Sequence, residues 1–253
     1  MLAAYGEAQT ERLGSCGMLI RSFLTLLLSV AVAAPALAAP ERIIILRHGE
    51  KENDWKLCAT GQQRAKALAK FYLGRGAAKS LFAKDEEPAF VFAITLHTLE
   101  LASPAVATWS KPIILYSVAP EEGQSKDSFT KALNRRTQEA ARNILSNPAL
   151  EGKTVVLVWE HKHIANRDLE KTYGNEAVTL RQLFKLDILP GVPATWPDAN
   201  YDYFWILEFD DHSNVPKSFK MLKQEFGPEF ANVPANDWGE PNGLAASSDC
   251  KAD

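Results

Sequence analysis

Two histidines stand out in this sequence. His48 lies in Leu46-Arg47-His48-Gly49-Glu50-Lys51, directly after the apolar run Arg42-Ile43-Ile44-Ile45-Leu46. His161 lies in Glu160-His161-Lys162-His163, directly after Thr154-Val155-Val156-Leu157-Val158-Trp159. A neutral imidazole is a nucleophile near neutral pH, and its ring can carry a phosphoryl group covalently. Arg47 adds a planar fork of donors suited to phosphate oxygens, and Gly49 lets the backbone approach a ligand closely. A protonated His161 puts positive charge where a transferring phosphoryl group is most negative. One histidine after a strand is usually a packed or surface residue. A second in an equivalent position is what makes the pair chemically interesting.

The segments before the two histidines are short, continuous and rich in β-branched residues, which reads as strands buried on both faces of a parallel sheet. Ligands of open α/β sheets sit at the carboxyl ends of such strands, so both histidines reach one sheet edge without long loops. The intervening chain alternates in the same way. A helix capped by Thr60 carries Ala65, Leu68, Ala69 and Tyr72 at helical spacing and stops at Gly74 and Gly76. A strand over 89–95, a helix over 98–109 and a strand over 112–116 follow. The amphipathic stretch 126–146 turns Phe129, Leu133, Ala140 and Ile144 inward. A helix over 176–186 and a strand over 203–207 complete the pattern. The expected fold class is a three-layer α/β/α sandwich with a mostly parallel central sheet.

The ends differ from the middle. Arg21 precedes an apolar run from Phe23 to Val30 that continues through alanines to Ala36-Leu37-Ala38, the make-up of a secretory signal peptide. Residues 1–38 are therefore expected to be a cleaved leader, with Met18 as an alternative start, and the product to be periplasmic or secreted. The apolar run is marginal for a bilayer span, so no stable membrane insertion is expected after cleavage. Residues 39–225 form the expected domain, and 226–253, rich in Pro, Gly, Asn and Ser, an irregular tail. Cys58 and Cys250 remain after the leader, either as two thiols or as a bridge pinning the tail to the Cys58 loop. The 253 residues are 46% hydrophobic with a formal net charge of −3, enough for one core and without the basic excess a nucleic-acid partner requires.

The segments Leu46-Arg47-His48-Gly49-Glu50-Lys51, Leu57-Cys58-Ala59-Thr60-Gly61-Gln62-Gln63-Arg64-Ala65 and Val155-Val156-Leu157-Val158-Trp159-Glu160-His161 together resemble the histidine phosphatase superfamily, the phosphoglycerate mutase-like fold. The resemblance covers most of residues 41–165. It implies a covalent phosphohistidine at His48, a phosphate pocket containing Arg47 and His161, a small phosphorylated substrate, and no cofactor or metal.

Two positions depart from the family pattern. The family's second arginine is expected in Thr95-Leu96-His97-Thr98, where His97 stands instead, as a shorter and partly charged phosphate ligand. Arg135 or Arg136 is the alternative source of that charge. The family's acidic proton donor is also unplaced. The His-Asp pair of the phytase-like branch is absent because Lys162 follows His161, which leaves Glu121 and Glu122 as candidates. His161-Lys162-His163 alone is a poor metal site, and a structural or substrate-edge role suits His163 better. Glu50 and Lys51 read as a solvated loop pair, and the aromatics around Tyr201 as core and sheet edge. Phosphomonoester hydrolysis is the expected activity; a phosphate-binding protein of the same fold with impaired catalysis is the alternative. Export counts against a mutase of cytoplasmic sugar acids.

Overall fold

A computed structural model of the protein describes residues 39–241, 243–244 and 248–251; the expected leader, 1–38, lies outside the described residues. A six-stranded sheet is formed by β1 (Arg42–Arg47), β2 (Phe90–Ala93), β3 (Ile113–Leu115), β4 (Thr154–Trp159), β5 (Tyr203–Phe209) and β6 (Pro216–Lys223), in the spatial order β3-β2-β4-β1-β5-β6. The first four strands run parallel, and β5 and β6 add an antiparallel edge. The expected sandwich is present. Ile43 and Ile45 of β1 point into one core with Leu133, Ala140 and Ile144 of α3 (Lys126–Ser146). Ile44 and Leu46 point into the other, with Ala65 and Leu68 of α1 (Ala59–Leu68) and Leu101 and Ala105 of α2 (Leu96–Trp109). Alternate residues of a central strand thus each meet a helical layer, which is why that strand is apolar throughout.

The differences from the sequence reading have local causes. Helix α1 starts after Cys58, so Thr60 lies inside its first turn and is not the cap. The helix continues as a π turn, Ala69–Leu73, and ends at Gly74 as expected. Strand β6 went unseen because it is an edge strand bearing Lys217, Lys220 and Lys223, polar in the way exposed edges are. Of the stretch 176–186 only α4 (Leu180–Leu183) is regular helix, capped by Thr179 and Gln182. The described residues of the tail are irregular apart from a short turn at Pro228–Phe230, but they are tied down: Cys58 and Cys250 form a disulfide, and Lys251 N–H donates to the Lys51 carbonyl at 2.6 Å. No helix among the described residues is long and apolar enough to cross a membrane.

Glu50 corrects the solvated-loop reading. Its carboxylate is fully buried and receives Arg64 Nη2 at 2.7 Å and Nε at 3.0 Å, while Arg64 Nη1 pairs with buried Asp202 at 2.8 Å. Burial opposes the guanidinium charge, but the two carboxylates outweigh it and push the pKa of Arg64 up. The cluster ties α1 to the loop after β1. Gly61 completes the joint, because a Cβ there would overlap the Glu50 carbonyl. Removing the cation leaves two buried carboxylates uncompensated, so Arg64→Met is expected to lose about 3–5 kcal/mol of stability. Urea unfolding measures this, and a loss below about 1 kcal/mol would mean the cluster is not strongly coupled to folding.

Candidate active site

Sheet order decides which loops meet. Strands β2, β4 and β1 lie side by side and parallel, with Arg47 opposite Trp159 and Ala93 opposite Val158. The residues just past their carboxyl ends therefore converge. His48 follows β1, Glu160 and His161 follow β4, and Thr95 and His97 follow β2. The amide of His48 donates to the Trp159 carbonyl at 3.0 Å, extending the ladder one step into the site.

His48 is 0% exposed, yet polar groups surround its ring. Its Nδ1 lies 2.8 Å from the Gly49 carbonyl, which can only accept, so the proton is assigned to Nδ1 and the lone pair to Nε2. Around Nε2 stand Nδ1 of His161 at 3.1 Å, Nη2 of Arg47 at 3.3 Å and a carboxylate oxygen of Glu160 at 3.6 Å. The His97 ring stands edge-on to His48, with centroids 5.0 Å apart. The structure thus brings Arg47, His48, His97 and His161 together.

Each neighbour is held in turn. His161 Nε2 donates to Asp198 Oδ1 at 2.8 Å, which turns Nδ1 towards His48. That bond is the main cause holding the Asp198 carboxyl below its usual range, against partial burial. Arg47 spends Nη1 on the carbonyls of Pro197, Asp198 and Asn200 at 2.8–3.0 Å, and its guanidinium lies 4.0 Å over the Tyr201 ring. Tyr201 is buried as expected, but it also fixes the cation in place. Gly49 leaves room for protein rather than ligand, since a Cβ there would meet Leu101 at 3.0 Å.

The carboxylate against His48 belongs to Glu160. Its Oε1 lies 2.5 Å from His97 Nε2 and accepts from the Thr95 hydroxyl at 2.9 Å. Burial alone would raise its pKa, but the paired His97, by charge and by hydrogen bond, outweighs burial and holds it well below the usual carboxylate range. His97 is thus paired with an acid, a partner the comparison with a missing arginine did not suggest. Glu121 is exposed and reaches only the wall of the cleft that ends on His97 and Glu160; Glu122 does not line it. Arg135 and Arg136 line a separate cavity, and Arg136 pairs with Glu139. Glu160, Thr95 and Asp198 were missed. Glu160 was within reach, since it sits at the same strand end as His161, but Asp198 comes from a loop without periodicity.

His48, His97 and Glu160 offer ligand atoms within 4.8 Å of one another, a set that could hold a metal ion, although Arg47 beside His48 opposes a cation there. His163 turns away from the cluster and bonds Asn134 Oδ1 at 2.9 Å. Burial pushes its pKa down from 6.5 to about 4. The unfolded chain therefore binds more protons between those values, so His163 contributes stability that is complete above about pH 6.5 and lost as pH falls towards 4. The expected loss is on the order of 3 kcal/mol. Urea midpoints at pH 7.5 and 4.5 should fall less in His163→Gln than in the parent, and equal falls would count against it.

No known family pattern matches the sequence, and no curated protein is similar to it. Among solved structures, the chain is similar to a protein from Agrobacterium tumefaciens provisionally named phosphohistidine phosphatase SixA, with 15% identity, 67% of this chain and 92% of that one covered, and a TM-score of 0.33. It is similar to a mycobacterial glucosyl-3-phosphoglycerate phosphatase at 15% identity, covering 74% and 99%, with a TM-score of 0.37. A structure called mycobacterial hydrolase 2 gives 15%, 79% and 93%, with a TM-score of 0.39. The two named phosphatases belong to the histidine phosphatase superfamily.

Proposed function

We propose that the protein is an exported phosphomonoesterase working through a phosphohistidine on His48. The observation that carries this reading is the lone pair of His48 Nε2, facing Arg47 and His161 on one side and the His97–Glu160 pair on the other. In the first step, Nε2 attacks phosphorus and the bond to the ester oxygen breaks. The leaving oxygen takes the single proton held between His97 and Glu160. In the second step, water attacks the phosphohistidine, the N–P bond breaks, and the His97–Glu160 pair takes up the water proton. Arg47 and His161 offer donors to the equatorial oxygens, where the charge of the transferring group lies. Gly49 keeps Nδ1 protonated and so leaves Nε2 available for attack.

Export rests on the leader-like residues 1–38, and the preferred small phosphorylated substrate on the pocket chemistry. The test is direct. The chain is incubated with an aryl phosphate, quenched at alkaline pH, where phosphohistidine survives, and digested. A phosphoryl mass increment is expected on the peptide containing His48, and an increment elsewhere would reassign the nucleophile. The second reading, a phosphate-binding protein without turnover, is favoured by the enclosure of His48 and by the carbonyls already holding Arg47. Phosphate binding with no hydrolysis across aryl and alkyl esters would support it.

A further inference from the structure

The chain carries a net charge of −3, but the approach to the histidines is lined with lysines. A cleft of about 470 Å³ ends on His97 and Glu160, and an adjoining one of about 260 Å³ ends on Glu160 and His161. The two share Lys51, Lys126 and Lys251, and Lys162 lines the smaller. The four lysines stand against the rim carboxylates Asp54 and Glu121 and the deeper Glu160, which His97 engages and on which Lys51 also acts. Lys162 leans on Asp198 at 3.8 Å, and among the described residues Lys251 has a loose contact with Asp54, 3.7 Å away. Lys126 has no carboxylate within 4 Å among the described residues. Phe129, Pro120 and Leu133 give the two clefts apolar walls beside the lysines.

An excess of lysine on an acidic chain, at the place where a leaving group must lie, calls for a negative charge on that group. Lys251 is not there by local sequence. It belongs to the tail, and it reaches the rim because Cys250 is bonded to Cys58 at the start of α1 and because its amide pairs with the Lys51 carbonyl. We propose that the cleft selects a phosphoester whose leaving group carries a second anionic group, a carboxylate or a further phosphate, held by Lys51, Lys126 and Lys251. The disulfide keeps the third of these in place. The proposal takes the position of the scissile phosphoryl group from the reading above.

The test measures binding without turnover. Two phosphonates of equal size, 4-carboxybenzylphosphonate and its uncharged partner 4-carbamoylbenzylphosphonate, are titrated into the full chain by calorimetry. The carboxylate is expected to bind about tenfold more tightly at low ionic strength, as two or three exposed ion pairs allow, with the preference shrinking in high salt. Lys126→Ala and Lys251→Ala are each expected to cut that ratio at least about twofold. Cys250→Ser, with folding verified by its melting curve, should behave like Lys251→Ala. Equal affinity for the two phosphonates, binding of neither, or a ratio indifferent to Lys126→Ala and Lys251→Ala would overturn the proposal. If the preference holds while no ester is hydrolysed, the cleft assignment stands and the phosphatase reading falls.

Discussion

His48→Ala is expected to lower the turnover of an aryl phosphate by at least about 10³-fold, because it removes the atom that forms the covalent bond. The other two imidazoles cannot easily substitute. His161 has Nε2 on Asp198 and Nδ1 turned to His48, and His97 has Nδ1 at the Asp54 carbonyl and Nε2 at Glu160. Only His48 has a ring nitrogen whose nearest neighbours are cationic or donor groups, the environment an incoming phosphate also needs. Circular dichroism checks that the variant is folded, since the ring is wholly buried and its loss leaves a cavity. A folded variant that keeps its rate within tenfold would remove His48 as the nucleophile and assign turnover to another group.

Glu160→Gln is expected to be nearly as damaging for poor leaving groups and much milder for good ones. A positioned general acid or base contributes typically about 10²–10⁴-fold. An alkyl oxygen needs that proton as its bond breaks, whereas a nitrophenolate hardly does. The rate on an alkyl phosphate should therefore fall at least about 10²-fold, and on nitrophenyl phosphate by about tenfold or less. His97 and Glu160 share one short contact and act as a unit, so adding His97→Gln to Glu160→Gln should cost little more than the worse single change. Equal losses on the two esters would indicate that Glu160 only shapes the pocket. Fully additive losses in the double variant would separate the two roles.

Both predictions concern residues at strand ends, and this is where the sequence was most informative. The runs before His48 and before Glu160 read as buried parallel strands because every residue in them is apolar or aliphatic in its stem, and helix α3 is amphipathic over its whole described length. Lys126–Ser146 and Thr154–Trp159 were both legible to the residue. Strand β6 and the short helix α4 were not, because an exposed edge and a four-residue turn carry too little apolar periodicity to be distinguished from loop.

Residue types and their places after the strands were enough to single out Arg47, His48 and His161, since chemistry constrains type and strand ends constrain position; His97 was singled out by the family resemblance. The partners of those residues were decided only by the tertiary structure. That β2, β4 and β1 are neighbours is a property of sheet order, and it alone puts Glu160 between His48 and His97. Asp198 behind His161, Tyr201 under Arg47 and Lys251 at the cleft arrive from 37 to 200 residues away along the chain, through loops and a disulfide. No local pattern encodes such meetings, because each depends on how two separately formed pieces of chain pack against one another.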